Sequence, residues 1–325
     1  MGMMGASLAA GLRKQPNPPA ITGVVRSERS KQWILDHDLA DEAIASTSMD
    51  VFRLGLSRYD LIVLGMPIAA NGVLLENLAE IYPGDFQWAA PSFSDQEQGV
   101  ESSNPEAKRP LDGNQDDSLP LITDMSSTRT YLEEVAARYP HLPFIGSHPM
   151  CGSEDAGPSA FRDSLFRDRL VILIRSTLRN SDDEQAYKLL NQFWSSLGAR
   201  VSELNEKDHD LVLAYLSHAP HLVSSLLATV TANRSEVQTI NAQSPIPITG
   251  GGLRDMLRIA GSNPEMWKDI IHTNRKYILE SLRDFRSGLD ELIETVESDS
   301  MEWWSDWQTR SRGFRNEICG FEEKR

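Results

Sequence analysis

The sequence predicts an α/β nucleotide-binding domain of the Rossmann-like kind, lacking its first strand, followed by an all-α dimerisation domain. Three observations predict it. Short β-branched runs alternate with helix-length amphipathic stretches up to about residue 150. Two glycines at the spacing of a dinucleotide-binding turn, Gly2 and Gly5, stand before the first helix. Beyond residue 205 the periodicity is helical almost to the end. Strands alternating with helices of this length make a parallel sheet, since each crossover needs a dozen or more residues.

Residues 21–26 (ITGVVR) and 59–67 (YDLIVLGMP) read as buried strands, apolar, β-branched and ended by polar residues or proline. Residues 120–124 and 143–146 read as two more, with a helix at 127–138 between them, and 5–14 and 69–81 have helical spacing. The stretch 92–119 is polar, acidic and rich in Ser, Pro, Gly and Asn, and reads as a disordered insertion. Strands at 169–174 and 199–203 flank an amphipathic helix at 183–197. Helices follow at 205–232, 249–261, 263–298 and 300–317. The first of these, N-capped by Asn205, is apolar nearly all round, which predicts burial in a bundle core or a subunit interface. The domain division expected is 1–150 for nucleotide binding and 151–325 for a mainly helical substrate and dimerisation domain.

Composition excludes several classes. A chain of 325 residues, 40% hydrophobic, can build two ordinary cores. It has no run of eighteen uninterrupted apolar residues, so no membrane partner is expected. The positive charges of the first fourteen residues follow the apolar stretch, the reverse of a signal peptide. Two cysteines, Cys151 and Cys319, imply no disulfide framework and fit a reducing cytoplasm. A formal net charge of −15 repels phosphate backbones, which argues against nucleic acid.

A dinucleotide fold opens with a strand, then G-x-G-x-x-G, then a helix, because the glycines let the pyrophosphate approach the helix N-terminus. Gly2 and Gly5 match the second and third glycines; the first glycine and the strand would fall before Met1. About twenty residues on, where the ribose is read, stand Arg26, Ser27, Glu28 and Arg29. Arginine and serine suit a 2′-phosphate, so NADP is favoured over NAD, with Met4 and Pro67 assigned to the same nucleotide site.

Residues 146–157 read GSHPMCGSEDAG and hold His148 rigidly at a strand end, a placement that suits acid–base work. Three further blocks are DMSSTR at 124–129, DHDLVLAYLSHAPH at 208–221 and GGLRDMLRIAGSNPEMWKDII at 251–271. In this order the four blocks resemble the prephenate/arogenate dehydrogenase (TyrA-type) family. The resemblance implies a homodimer formed by the helical domain and oxidative decarboxylation in tyrosine biosynthesis. It implies that His148 accepts the C4 hydroxyl proton and that Ser127 hydrogen-bonds His148 and the substrate. Arg258 corresponds to the arginine that binds a substrate carboxylate, and His218 and His221 to pocket histidines. Glu154 and Trp267 match positions at the pocket edge.

The chemistry fits these residue types. Removing hydride from C4 develops a carbonyl-like centre, a neutral histidine can take the hydroxyl proton, and loss of CO2 aromatises the ring. An arginine fork holds a carboxylate with two aligned hydrogen bonds. The nicotinamide is the electron sink, so no metal is needed. His218 and His221, three apart on one helix, have no placed third ligand. The expected substrate is prephenate, with arogenate, or a catalytically impaired binding relative, as alternatives. Asp208, His209 and Asp210 read as a helix start and packing feature, Cys151 as packing, and Trp303, Trp304 and Trp307 as the buried face of a C-terminal helix.

Overall fold

The computed structural model describes residues 1–46, 56–83, 120–152, 157–179, 183–298 and 301–319. Strands β1 (Thr22–Val25), β2 (Glu42–Ala45), β3 (Leu61–Leu64), β4 (Leu121–Asp124) and β5 (Phe144–Ile145) alternate with helices α1 (Met3–Arg13), α2 (Glu28–Asp36), α3 (Ile68–Ala79) and α4 (Thr130–Ala137). All pairings among these strands are parallel: β1 with β2, and β3–β4–β5 in that order. β4 is buried at all four positions, as a strand covered on both faces must be. The two groups are separate ladders: among the described residues no strand pairs β1 with β3, and the Met1 amine donates to Val24 O.

β2 and α2 escape the sequence pattern because both are short and half-exposed. α2 is N-capped by Ser27, whose hydroxyl accepts from Ser30 N at 3.2 Å. A second sheet combines β6 (Ser147–Pro149), antiparallel to β7 (Leu170–Ile174), with β8 (Arg200–Leu204) parallel to β7. Helix α5 (Glu184–Ser196), capped by Asp183, buries Tyr187, Leu190 and Trp194 in a core shared with Leu8 and Leu12 of α1. β6 was not legible because it has three residues and ends on a proline that offers no ladder hydrogen bond.

The helical part departs from expectation at two breaks. The 205–232 stretch is α6 (Glu206–Leu213), a π-helical turn at Ala214–His218, and α7 (Ala219–Ala232). Pro220 sits just beyond that turn; a proline inside a helix has no N–H to donate and crowds the preceding turn, which favours a register change there. The 263–298 stretch is α10 (Pro264–Thr273) and α11 (Arg275–Glu297), separated at Asn274. Between them lie α8 (Ser235–Ala242) and α9 (Gly251–Leu257). Asn205 caps α6 as expected, accepting from Lys207 N and Asp208 N at 3.1 and 2.8 Å.

The 205–232 stretch is not buried within the chain: Leu216, Leu226 and Val230 are more than half exposed. Among the described residues Glu206–Ala232 is long and apolar enough to cross a membrane, with a hydropathy of 1.4, a test that counting uninterrupted runs misses. Its first turns, however, carry buried Glu206, His209 and Asp210, which bond to Thr177 and to the buried His148 and Arg129.

Contacts divide the chain into Met1–Arg275 and Lys276–Arg325. The second unit comprises most of α11 and α12 (Met301–Cys319), where Trp303 and Trp307 stack with centroids 5.5 Å apart and Trp304 lies 5.4 Å from Trp307. Trp303 and Trp307 are half-buried and Trp304 is 41% exposed within the chain. The 92–119 insertion lies outside the described residues.

Candidate active site

The site grows from the loop after β4. Arg129 and Asp124 are fully buried and form a two-pronged ion pair, both contacts 2.7 Å. The same carboxylate accepts from Ser126 N at 2.9 Å and Ser147 N at 3.2 Å, and Arg129 Nη1 donates to Ser147 O at 3.2 Å. The loop and the strand carrying His148 are thereby fixed to each other. Gly146 makes this possible: a Cβ there would lie 2.8 Å from Arg129 Nη1 and 2.9 Å from Glu133 Oε1.

His148, on β6 and 8% exposed, lies with Nδ1 2.8 Å from Nε2 of His209. His209 Nδ1 is 3.0 Å from Asp210 Oδ1. Asp210 caps the start of α4, accepting from Arg129 N and Thr130 N, each at 2.8 Å. Burial opposes ionisation of Asp210, yet the bonds from His209 and Thr130 hold its carboxyl below the ordinary range. Burial pushes His148 well below 6.5, with His209, Arg129 and His218 adding to it, and burial lowers His209 too.

These protonation states fix the tautomers. An ionised Asp210 only accepts, so His209 carries its proton on Nδ1. Neutral His209 then has a bare Nε2, which accepts from His148 Nδ1–H. His148 is left with a bare Nε2 that has no partner among the described residues. The histidine is a neutral base whose lone pair is free for a ligand. His209 and Asp210, read from sequence as packing, are the orienting partners; adjacent positions in one helix gave no sign that both would turn toward β6.

The other assigned residues divide into two groups. His218, His221 and Trp267 come together, with ring centroids 6.0 Å from His218 to Trp267 and 5.1 Å from His221 to Trp267. A cavity of about 260 Å³ is lined by His221, Leu222, Ser225, Ala260, Ser262, Pro264 and Trp267. Burial lowers His218 to about 4, so it too is neutral. Ser127 and Arg258 stand apart. Ser127 is half-buried in the β4–α4 loop and makes no bond to His148; His209 takes that ring nitrogen instead, while the neighbouring Ser126 accepts from Asn71 Nδ2 at 2.9 Å. Arg258 follows α9 as an exposed residue without an ion pair among the described residues. Glu154 lies outside the described residues. Among the described residues no cluster of three or more His, Cys, Asp or Glu is placed to hold a metal.

At the other end, Gly2 is the N-cap of α1 and a Cβ on it would meet nothing within 4 Å, while Gly5 lies against the Met1 side chain. Met4 is half-buried in the first turn of α1. Arg26, Ser27 and Arg29 are exposed at the end of β1, and exposed Pro67 is the N-cap of α3. An open helix N-terminus beside two free guanidinium groups at the carboxyl ends of parallel strands fits the phosphates of a dinucleotide.

Parallel strands with such an edge, together with an oriented neutral histidine on β6 backed by His209 and Asp210 of α6, define a nucleotide-dependent oxidoreductase. Two family models match: prephenate dehydrogenase, nucleotide-binding domain, over residues 117–203, and prephenate dehydrogenase, dimerization domain, over residues 205–308. Together they span more than half of the chain, which belongs to the prephenate/arogenate dehydrogenase (TyrA-type) family. Prephenate dehydrogenase of Bacillus subtilis (strain 168) is 26% identical over 306 residues, 93% of this chain and 70% of that protein. The enzyme of the same name from Lactococcus lactis is 26% identical over 304 residues, 92% and 71%. The fold is shared with a solved prephenate dehydrogenase from A. aeolicus in complex with hydroxyphenyl propionate and NAD+, at TM-score 0.75, 24% identity and coverage of 98% and 95%. Synechocystis arogenate dehydrogenase has it too, at TM-score 0.71, 24% identity and coverage of 97% and 96%.

Proposed function

We propose that this chain oxidises prephenate to 4-hydroxyphenylpyruvate and CO2, with His148 as general base. The observation that carries the reading is the bare Nε2 of His148, fixed by the chain of bonds to His209 and Asp210. A bound nicotinamide dinucleotide supplies the hydride acceptor. His148 Nε2 takes the C4 hydroxyl proton as the C4–H hydride leaves; the bond to the tertiary carboxylate then breaks and its electron pair completes the aromatic ring. The new imidazolium keeps its Nδ1–H on His209, which Asp210 backs, and returns its Nε2 proton to the phenolate oxygen that aromatisation leaves. Ser127 contributes to the substrate end of this site when substrate is bound, and Glu154 is assigned to the pocket edge by its match to the family alone. His218, His221 and Trp267 bound the pocket, and Arg258 anchors a substrate carboxylate.

The division of labour places the nucleotide in residues 1–150 and substrate and dimer contacts in 151–325. Exposed Leu226, Val230, Val237, Ile240, Ile246 and Ile248 supply apolar area for a homodimer through the helical domain. Two cysteines suit a cytoplasmic setting.

The test is formation of reduced nicotinamide, followed at its absorbance, with prephenate and arogenate each offered with NAD and NADP. Turnover is expected with prephenate, and better with NADP. Arogenate as the sole substrate would reassign the substrate. Cofactor binding without turnover on either would favour the second reading, a binding relative.

Arg26 and Ser27 read the 2′-phosphate in this account. Arg26→Ala therefore weakens NADP binding by about tenfold and NAD binding little, the loss expected for one charge-assisted contact. Equal loss with both cofactors, by fluorescence titration, would remove Arg26 from phosphate reading. Arg258→Ala raises KM by about tenfold with the melting temperature unchanged, since the guanidinium is exposed and unpaired. A destabilised variant with normal KM would make Arg258 a structural residue.

A further inference from the structure

We propose that Asn274 is a positioning residue: it clamps the π turn at 214–218 and fixes His218 as the tautomer protonated on Nε2. The proposal rests on the dehydrogenase reading only in giving His218 a place at the substrate.

The π turn decides which way His218 faces. Ala219 N–H donates to Ala214 O, an i→i−5 bond that adds one residue to the turn. In a regular helix eight residues carry His218 roughly 80° past the direction of Asp210, and the extra residue brings it back to within about 20°. Burial records the shift: 209 and 210, 213 and 214, then 218 and 219 are buried, a spacing of four followed by five. Without the extra residue, His218 would turn away from the His209–Asp210 face.

Asn274 holds both ends of that device. It is the residue between α10 and α11 and is 2% exposed. Its Nδ2 donates to Asp210 O at 2.8 Å, before the π turn, and lies 3.1 Å from His218 Nδ1, at its end. Asp210 O already accepts from Ala214 N, so Asn274 adds a second donor where the helix changes pitch. The amide orientation is fixed by that carbonyl: turning the amide over would set oxygen against oxygen. Both amide hydrogens are therefore spent, one on each partner. Oδ1 of Asn274 is buried without a partner, so the contacts that order this side chain are those of its nitrogen. An amide N–H at His218 Nδ1 requires a bare Nδ1, which leaves the proton on Nε2. His218 is thus presented as a fixed hydrogen-bond donor beside Trp267, one that suits an anionic or carbonyl oxygen of a ligand.

Two measurements on the full-length protein decide the proposal, and neither needs substrate. Two-bond 1H–15N correlation spectra, with His218 assigned through His218→Gln, report the tautomer. Wild type is expected to show His218 neutral with the proton on Nε2. Asn274→Asp, which replaces the donor with an acceptor, is expected to move the proton to Nδ1 or give the doubly protonated ring. Hydrogen exchange of the 214–218 amides is expected to be about tenfold faster in Asn274→Ala, for the loss of one or two net hydrogen bonds. A wild-type proton on Nδ1, a folded Asn274→Asp with an unchanged ring, or unchanged exchange in Asn274→Ala each overturns the proposal. If Asn274→Asp does not fold, the wild-type tautomer and the Asn274→Ala exchange still decide. An inactive protein with these spectra would count against the dehydrogenase reading alone.

Discussion

Replacing the base, His148→Asn, is expected to lower kcat by about a hundredfold to ten-thousandfold while leaving cofactor affinity nearly unchanged. The amide can still fill the space and donate to His209 Nε2 in place of Nδ1–H. It has no lone pair basic enough to take a hydroxyl proton. The loss therefore falls on the chemical step. The residue sits on β6, paired to β7 along Ser147–Leu173, His148–Ile172 and Pro149–Val171, so the strand that holds it survives the change. Steady-state kinetics with a cofactor titration on the same preparation check it; near-normal turnover would remove His148 from the mechanism.

Asp210→Asn is expected to cost about a hundredfold in kcat by a different route, through the tautomers. Asp210 accepts three hydrogen bonds, from Arg129 N, Thr130 N and His209 Nδ1. An amide cannot accept on both sides. With its oxygen toward His209, its nitrogen opposes the Thr130 N–H, donor against donor. With its nitrogen toward His209, the His209 proton is forced to Nε2, His148 must accept on Nδ1, and its own proton moves to the Nε2 that should be bare. Either outcome removes the prepared base or the start of α4 it rests on. Both lower the melting temperature, because the amide nitrogen opposes Thr130 N–H in the first and Arg129 N–H, which shares Oδ1 with His209, in the second; only the second also moves the proton on His148 and lowers kcat. A stable variant with normal kcat would show that the relay does not set the tautomer of His148.

The parallel strands were legible because β3 and β4 are apolar runs with polar or proline ends, and β4, buried on both faces, leaves no alternation to misread. Short, half-exposed elements such as β2 and α2 left no such mark. The π turn was invisible to a 3.6-residue reading, although Pro220 is its local cause and sits in plain sight. His148 was legible as a rigid, strand-end imidazole. His209 and Asp210 were not, because what makes them partners is the approach of α6 to β6, a tertiary fact. Leu253, Leu257 and Ile259 around Arg258 are apolar, yet all three are only half-buried and the arginine is exposed. A sequence pattern marks the side a residue is on, and here the apolar side of α9 is only partly covered within one chain.

The measurement that tests the central claim most directly is the pH dependence of kcat/KM for the free enzyme. Burial, with His209, Arg129 and His218 adding to it, holds His148 well below 6.5, so the base stays neutral from neutral pH downward until that lowered value is reached. The account predicts a flat profile through pH 6.5 and an acid limb that begins only below it, with His148→Asn lacking the limb. An acid limb at or above pH 6.5 would contradict a buried, neutral base oriented by His209 and Asp210.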